Sequence, residues 1–362
     1  MRAHEQPALI AAARWGLTDP LDAVIVDAQD LGSVGGAVAT DRLGGLLYHA
    51  IADSWVVADE RVLASVRDTW NAQLLASVVC EALAVRTAAI LDSAGVRWRL
   101  TKGAALAHLD YPDPSLRPFG DVDVVIHPDD WATAMDALAK AGNHRPTRTL
   151  PGDYDRRFGK GATLKTPEGL ELDAHVRFAV GRFGIRSRMV DLFASGDEIT
   201  LAGRRIPTLD PPGRLLHACH HAALGGQRQL RAHRDVAQLI LVSQADWQTT
   251  VEIARRWRVE AVVARAVTEA WLRLHLTEPH PAWQWAASYH EQRIDRWALD
   301  VFGQERPFRE QALTTLTSLP MRDVPAYVAA VYSGSGTRNL LEAWRRRLRD
   351  RFRGTEGNVS PR

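Results

Sequence analysis

The residues best suited to chemistry are two aspartates, Asp121 and Asp123, in the otherwise apolar run 121–126 (Asp-Val-Asp-Val-Val-Ile). The run predicts a β-strand, along which side chains alternate between faces, so both carboxylates point the same way with Cα atoms roughly 6.5 Å apart. Two such carboxylates repel each other and lose hydration, and they need a cation to remain ionised together. Mg²⁺ favours hard oxygen ligands and substrate phosphates. We therefore predict that this pair binds Mg²⁺ or Mn²⁺.

A second strand carries another polar face. Residues 170–178 alternate between apolar and polar side chains, and the polar set is Glu171, Asp173, His175 and Arg177. For this strand alone, exposure of one face to solvent explains the pattern equally well. Beside the aspartate pair, however, Asp173 supplies a third carboxylate, which could take the proton from an attacking hydroxyl or hold the metal that activates it.

Three short motifs surround the aspartate pair: Lys-Gly at 102–103, Tyr-Pro-Asp at 111–113 and Arg-Pro-Phe-Gly-Asp-Val-Asp at 117–123. They resemble the motifs of an uncharacterised bacterial nucleotidyltransferase family in the DNA polymerase beta superfamily. Leu-Asp-Ala-His at 172–175 resembles a later strand of that family, and 215–221 and 234–237 resemble its helical tail. The resemblance runs from about residue 41 to 245 and is strongest over 100–126.

The resemblance implies three catalytic and metal-binding carboxylates, namely Asp121, Asp123 and Asp173. It also implies that Gly103 lets the backbone approach a phosphate and that Lys102 or Arg117 neutralises a triphosphate. The superfamily usually has a Gly-Gly or Gly-Ser turn where this chain has Lys-Gly-Ala at 102–104, a departure that the family shares. Ala174 stands where a bulkier apolar residue is usual.

Each of the three nucleotide-binding assignments has an alternative. For Gly103 the alternative is a turn residue, and for Lys102 it is a solvated surface cation; within the assembled motif the nucleotide-binding interpretation is favoured. Arg117 is explained by an ion pair with Asp113 or Asp110.

The elements around these residues indicate an α/β fold of the mixed α+β kind, with a nucleotidyltransferase-type mixed sheet and flanking helices. Residues 96–101 and 121–126 predict strands, and the Pro-Glu-Gly turn at 167–169 predicts a hairpin between 162–166 and 170–178. We divide the chain into a helical N-terminal segment (1–94), a nucleotidyltransferase domain (95–210), an all-helical domain (211–353) and a flexible tail (354–362).

Apolar residues at helical spacing predict helices near 213–224, 230–244, 246–258 and 260–276. The arginine-rich run near 345–353 predicts a basic helix end. Residues 32–36 (Gly-Ser-Val-Gly-Gly) lack the ending of a phosphate loop and are expected to be a flexible connection. His217 and His221 have metal-binding spacing, but no nearby glutamate or cysteine completes a site, so they are expected to be packed or surface histidines.

Composition excludes several classes of protein. The 362 residues carry a formal charge of +2, which gives no general case for nucleic-acid binding. Two cysteines, Cys80 and Cys219, make neither a disulfide framework nor a zinc site and are expected to be buried thiols. The N-terminus lacks a signal-peptide pattern, and no uninterrupted apolar run approaches roughly 20 residues, so we expect a cytoplasmic protein without a membrane span.

Taken together, the sequence favours an enzyme that moves a nucleoside monophosphate from a triphosphate, ATP among the candidates, to a hydroxyl of a small molecule, peptide or protein. A toxin-like enzyme that modifies tRNA is the second hypothesis, and RNA is the less favoured acceptor because the net charge is near zero. A non-catalytic nucleotide-binding module is the third, and the intact set of three carboxylates argues against it.

Overall fold

The computed structural model describes residues 6–22, 24–26, 31–147, 150, 153–225, 228–303 and 308–333. Its α-helices are α1 (Pro7–Arg14), α2 (Leu31–Asp41), α3 (Gly44–Ala52), α4 (Glu60–Ser93), α5 (Gly103–Leu109), α6 (Trp131–Lys140), α7 (Tyr154–Arg157), α8 (Gly181–Arg186), α9 (Pro211–Leu224), α10 (Leu230–Leu241), α11 (Trp247–Trp257), α12 (Glu260–Arg273), α13 (Pro281–Ser288), α14 (Arg293–Gly303), α15 (Phe308–Leu316) and α16 (Val324–Ser333). Its strands are β1 (Val24–Val26), β2 (Val56–Ala58), β3 (Trp98–Thr101), β4 (Val122–Ile126), β5 (Gly161–Lys165), β6 (Glu171–His175), β7 (Glu198–Leu201) and β8 (Arg204–Pro207).

Strands β3 to β6 form a four-stranded mixed sheet in the order β3-β4-β6-β5. The central strands β4 and β6 are parallel, and β3 and β5 pair antiparallel with them at the edges. Every residue of β4 is buried, as expected for a mostly apolar strand between two neighbours. The mixed sheet and the hairpin of β5 and β6 confirm the fold class predicted from the sequence.

The alternation of side chains along β4 separates a packing face from a chemical face. Val122, Val124 and Ile126 join the apolar core that α4 and α6 build against the sheet. The intervening Val125 belongs instead to the core of the C-terminal helices. Asp123 therefore points away from α4 and α6, toward the C-terminal helices.

The 34-residue helix α4 contributes to both cores. Asp59 caps its first turn by accepting a hydrogen bond from the backbone N–H of Val62 at 2.8 Å. Val62 lies in the helical core, whereas Leu83 and Leu91 lie in the sheet core. By length and composition alone α4 could cross a membrane, since one 18-residue window has a mean hydropathy of 1.9 with 39% of it buried, but core helices of soluble proteins meet the same criteria.

The N-terminal helices and the C-terminal helices share one core. Leu9 of α1 and Leu46 of α3 are buried together with Leu216 of α9, Trp257 of α11 and Val263 of α12. Helices α1 and α3 are therefore not an independent unit but a layer on the helical domain.

Two expectations about the N-terminal segment are wrong. It is not purely helical, because β1 and β2 pair in parallel within it. Residues 32–36 are not a flexible connection but part of α2, where tertiary packing through the buried Val38 overrides the low helix propensity of glycine. The strand predicted over 121–126 is also one residue shorter in the structure, since β4 begins at Val122. The predicted basic helix near 345–353 and the tail at 354–362 lie outside the described residues.

A buried ion pair joins the helical domain to the sheet domain. Arg117 donates from Nε and Nη2 to the two carboxylate oxygens of Asp235 on α10, at 2.9 and 2.7 Å. The hydroxyl of Tyr111 donates to the same carboxylate at 2.9 Å, and Arg117 Nη1 donates to the carbonyl of Gly103 at 3.2 Å. Burial acts to lower the pKa of Arg117, but Asp235 raises it overall. The pair thus ties α10 to the turn between β3 and α5.

We expect Asp235→Asn to lower the free energy of unfolding by about 3–5 kcal/mol, because it leaves the buried Arg117 without a counter-charge. Urea unfolding followed by circular dichroism measures this change. Asp136→Asn is the matched control, since Asp136 pairs with Lys140 on the surface, with side chains 62% and 76% exposed. It should cost less than about 1 kcal/mol, and equal losses in the two variants would contradict the assignment.

Candidate active site

The turn between β3 and α5 holds a lysine in a backbone conformation that glycine normally takes. Lys102 has φ +46° and ψ −124°, the geometry of the first central residue of a type II′ turn. Such a conformation costs of the order of 1–3 kcal/mol for a residue with a side chain. Its side chain gains a contact in return, because Nζ lies 2.6 Å from Oδ1 of Asp123. The turn therefore delivers an ammonium group to the predicted metal-binding carboxylate.

Asp123 is a buried and ionised carboxylate. Its Oδ1 also accepts a hydrogen bond from Nε2 of His175 at 2.6 Å. Burial alone would raise the pKa of Asp123, but the charge of Lys102 and the hydrogen bond from His175 outweigh it and hold that pKa well below its ordinary value. Among the described residues, the buried Oδ2 has no hydrogen-bond partner. One oxygen of the carboxylate is thus left for a ligand.

Asp173 and His175 complete the cluster from the neighbouring strand. The register pairs Asp123 of β4 with Asp173 of β6, and Thr163 Oγ1 donates to Asp173 Oδ1 at 2.5 Å. One ligand atom each from Asp123, Asp173 and His175 lies within 4.8 Å of the others. His175 was not assigned a role from the sequence, although its i, i+2 spacing from Asp173 places both on one face of the strand.

His175 enters the cluster as a neutral imidazole. Burial is the largest cause that lowers its pKa, to about 4, with the charge of Lys160 acting in the same direction. Because a carboxylate only accepts hydrogen bonds, Nε2 carries the proton that is donated to Asp123. The lone pair on the buried Nδ1 has no partner among the described residues.

Asp121 lies just before β4 and is partly exposed, outside the compact cluster. Two arginines that the sequence did not single out accompany it. The guanidinium of Arg42 lies directly over Gly120, where any added Cβ would collide with it. Burial lowers the pKa of Arg231 to about 10, with Arg117 and Arg42 acting in the same direction and Asp121 opposing them. Positive charge from Arg42 and Arg231 therefore lies near Asp121.

Arg117 and Gly103 both make contacts that stabilise the fold. Arg117 pairs with Asp235 rather than with the two acids suggested by the sequence, and Asp110 pairs instead with Arg214 at 2.8 Å. A Cβ at Gly103 would lie 3.2 Å from the ring of Phe119, so packing alone accounts for the glycine.

Lys160, another residue that the sequence did not single out, lies beside the cluster at the start of β5. Burial lowers its pKa to about 8, with the charge of Lys102 acting in the same direction and the carboxylates of Asp123 and Asp173 opposing it. Together with Lys102 it makes the surroundings of the carboxylates cationic.

Residues 28–273 match the sequence profile of a family described as uncharacterised nucleotidyltransferase, which covers more than half of the chain. The chain belongs to this nucleotidyltransferase family. The matched range includes both of the strands that carry the carboxylates, β4 and β6.

Two solved structures are similar to this nucleotidyltransferase in fold. One is an antigenic nucleotidyltransferase-like protein from Paracoccidioides brasiliensis, with 16% identity, a TM-score of 0.30, and coverage of 52% of this chain and 92% of that one. The other is the antibiotic-resistance factor ANT(2'')-Ia, with 12% identity, a TM-score of 0.28, and coverage of 55% and 90% respectively. A search of curated proteins found no match.

The cluster of this nucleotidyltransferase fits a divalent cation. Asp123 and Asp173 offer carboxylate oxygens, the donors that hard divalent cations prefer, and His175 offers an imidazole nitrogen. The unpartnered Oδ2 of Asp123 is the observation that supports the fit, because a buried charged oxygen without a partner is costly.

We expect Lys160→Met to raise the free energy of unfolding at pH 7 by about 3 kcal/mol, from the linkage between pKa and stability. The folded protein holds this proton less tightly than the unfolded chain, with a pKa of about 8 against 10.5. The wild-type ammonium therefore destabilises the fold below pH 8, and this penalty disappears as the pH rises through 8 toward 10.5. Urea unfolding of both proteins at pH 7, 8.5 and 10 measures it, and a difference that does not shrink with pH would contradict the assignment.

Proposed function

We propose that this protein transfers a nucleoside monophosphate from a nucleoside triphosphate to a hydroxyl of a small-molecule, peptide or protein acceptor and releases pyrophosphate. The observation that carries the proposal is the register of β4 and β6, which sets Asp123 directly opposite Asp173. Family membership supports the class of reaction. The acceptor is proposed on electrostatic grounds, since the near-neutral chain does not indicate binding to a nucleic-acid backbone.

Mg²⁺ or Mn²⁺ is the proposed cofactor, held by Asp123 and Asp173, with Asp121 as the additional carboxylate that faces the triphosphate. When bound, the ion would neutralise charge on the phosphates and lower the pKa of the attacking hydroxyl. The site contains one competing cation, because the ammonium of Lys102 already occupies Oδ1 of Asp123. The free Oδ2 remains available without displacing it.

Lys102, Arg42 and Arg231 are the proposed contacts to the triphosphate. Lys102 carries its charge on a turn beside the carboxylates, and the two arginines accompany Asp121. Gly103 is proposed to approach the phosphates through its backbone atoms, whereas its missing Cβ is explained by the ring of Phe119. Arg117 supports this turn through its hydrogen bond to the Gly103 carbonyl and is proposed to act on the nucleotide only through that support.

The proposed base is Asp173. The attacking oxygen forms a bond to the α-phosphorus as the bond from that phosphorus to the bridging oxygen breaks, and pyrophosphate departs with the electron pair. The proton of the hydroxyl passes to the carboxylate of Asp173, whose orientation is held by the hydrogen bond from Thr163. Positioning and charge neutralisation, rather than a covalent intermediate, supply the acceleration.

We expect the double variant Asp121→Asn/Asp123→Asn to lose metal-dependent triphosphate binding by at least about 1.5–3 kcal/mol, the typical value of a hydrogen bond to a charged group. Isothermal titration calorimetry with ATP, CTP, GTP and UTP, each with and without Mg²⁺, measures this loss. Asp129→Asn is the matched control, because Asp129 is exposed on the turn after β4. Wild-type binding by the double variant would refute the site.

We expect Asp173→Asn to reduce turnover by roughly 100-fold or more, the usual contribution of a general base, while most of the triphosphate affinity is kept. Transfer of an α-³²P label from each triphosphate into a cell extract measures turnover and shows the acceptor class on a gel. A fully active Asp173→Asn would move the role to Glu171. Label in tRNA-sized bands that disappears in the Asp121→Asn/Asp123→Asn variant would favour the toxin-like tRNA enzyme instead.

A further inference from the structure

A small cavity opens beside the carboxylate cluster, between the sheet and the C-terminal helices. Its volume is about 180 Å³, and its polar lining consists mainly of Lys102, Lys160, His217, His220 and His221. We call it the lysine–histidine pocket. Sites for drug-sized ligands span roughly 300–1,000 Å³, so this pocket suits a small ligand or one end of a larger one.

Lys160 is the charge that this pocket leaves uncompensated. Within the described part of the chain its Nζ has no hydrogen bond or ion pair, and no carboxylate lines the pocket. A partly buried ammonium that forms no ion pair, with Asp123 and Asp173 acting on it only from a distance, is stabilised when a counter-charge binds beside it. The pocket is therefore complementary to an anionic group.

His220 places a second requirement on a ligand of this pocket. Its Nδ1 lies 2.8 Å from the carbonyl oxygen of Leu216, and because a carbonyl only accepts, Nδ1 carries the proton. The ring is 1% exposed, its Nε2 has no partner among the described residues, and burial lowers its pKa to about 4, which keeps Nε2 an acceptor at neutral pH. Because His220 lines the pocket, a ligand that reaches its Nε2 as well as Lys160 carries a hydroxyl donor and an anion.

The position of the pocket connects it with the reacting groups. Lys102 both lines the pocket and contacts Asp123, and Lys160 lies within electrostatic range of Asp173. Arg42 lies over Gly120, next to Asp121, and Arg231 lies within electrostatic range both of Asp121 and of His221 in the pocket. The pocket therefore adjoins the proposed triphosphate contacts. Incoming and leaving oxygens lie roughly in line across the transferred phosphorus, so an acceptor site next to these contacts suits the reaction.

We propose that the lysine–histidine pocket binds the acceptor through a hydroxylated anionic end, a phosphate ester or a hydroxycarboxylate. The identification of the ligand as the acceptor rests on the proposed function, but the anion site itself does not. Lys160 provides the counter-charge, and Nε2 of His220 accepts a hydrogen bond from the hydroxyl. The acceptor of this enzyme thus belongs to the class of small hydroxylated anions or of larger molecules that end in one.

The test is calorimetry with three ligands of one carbon skeleton, namely glycerol 3-phosphate, glycerate and glycerol. The full chain is first saturated with Mg²⁺ and the α,β-methylene analogue of whichever triphosphate binds, so that phosphate cannot occupy the nucleotide site. At least one anion should bind tenfold or more tightly than glycerol, and the two anions distinguish a phosphate from a carboxylate source. Lys160→Met and Lys160→Gln should each weaken that binding at least tenfold.

Lys165→Met is the matched control, because Lys165 lies on the same strand but pairs with Glu171 outside the pocket. It should bind like the wild type. Equal binding of all three ligands, or undiminished binding by both Lys160 variants, overturns the anion site, and nucleotide binding in the same samples would leave the proposed function standing. Lys160-dependent anion binding in a protein that binds no triphosphate would support the anion site and refute the proposed function.

Discussion

The buried negative charge of Asp123 is the constraint on which the arrangement of the site depends. A carboxylate in the middle strand of a packed sheet remains ionised only if positive charge and hydrogen-bond donors approach it. Lys102 and His175 do so from two different strand ends, and both share the same oxygen. The strained turn at Lys102 meets this requirement with a charge, and His175 meets it with a hydrogen bond. The remaining oxygen, which has no hydrogen-bond partner among the described residues, distinguishes the cluster from a closed salt bridge.

The helical domain takes part in the site through a chain of polar contacts. Asp235, Arg117 and the carbonyl of Gly103 form a continuous path from α10 to the turn that carries Lys102. The histidines of α9 face the same region across the lysine–histidine pocket. The sheet alone would carry the carboxylates, but the position of the turn that carries Lys102 and the shape of the pocket depend on the helices.

Local periodicity was sufficient to predict the carboxylates, because alternation along β4 and β6 places Asp123 and Asp173 on definite faces. It was also sufficient for the strands of the sheet and for the helices from α9 to α12, whereas the mixed pairing of the strands was expected from the family resemblance. It could not identify the partner of Arg117, since Asp235 is separated from it by 118 residues. For the same reason the approach of Arg42 to Gly120 and the ligand position of His175 required the tertiary structure. Spacing along a strand determines the face to which each side chain points, whereas the hydrogen-bond partner of a side chain depends on how distant segments of the chain pack.

Helix α4 has a consequence for the unfolding of the whole chain. At a rise of about 1.5 Å per residue its 34 residues extend for roughly 50 Å. Its first turns belong to the helical core and its last turns to the sheet core, so each core loses packing partners when the other releases the helix. The packing that stabilises one core therefore also opposes the unfolding of the other. We infer that denaturation is cooperative across both domains, with a single shared transition rather than two successive ones.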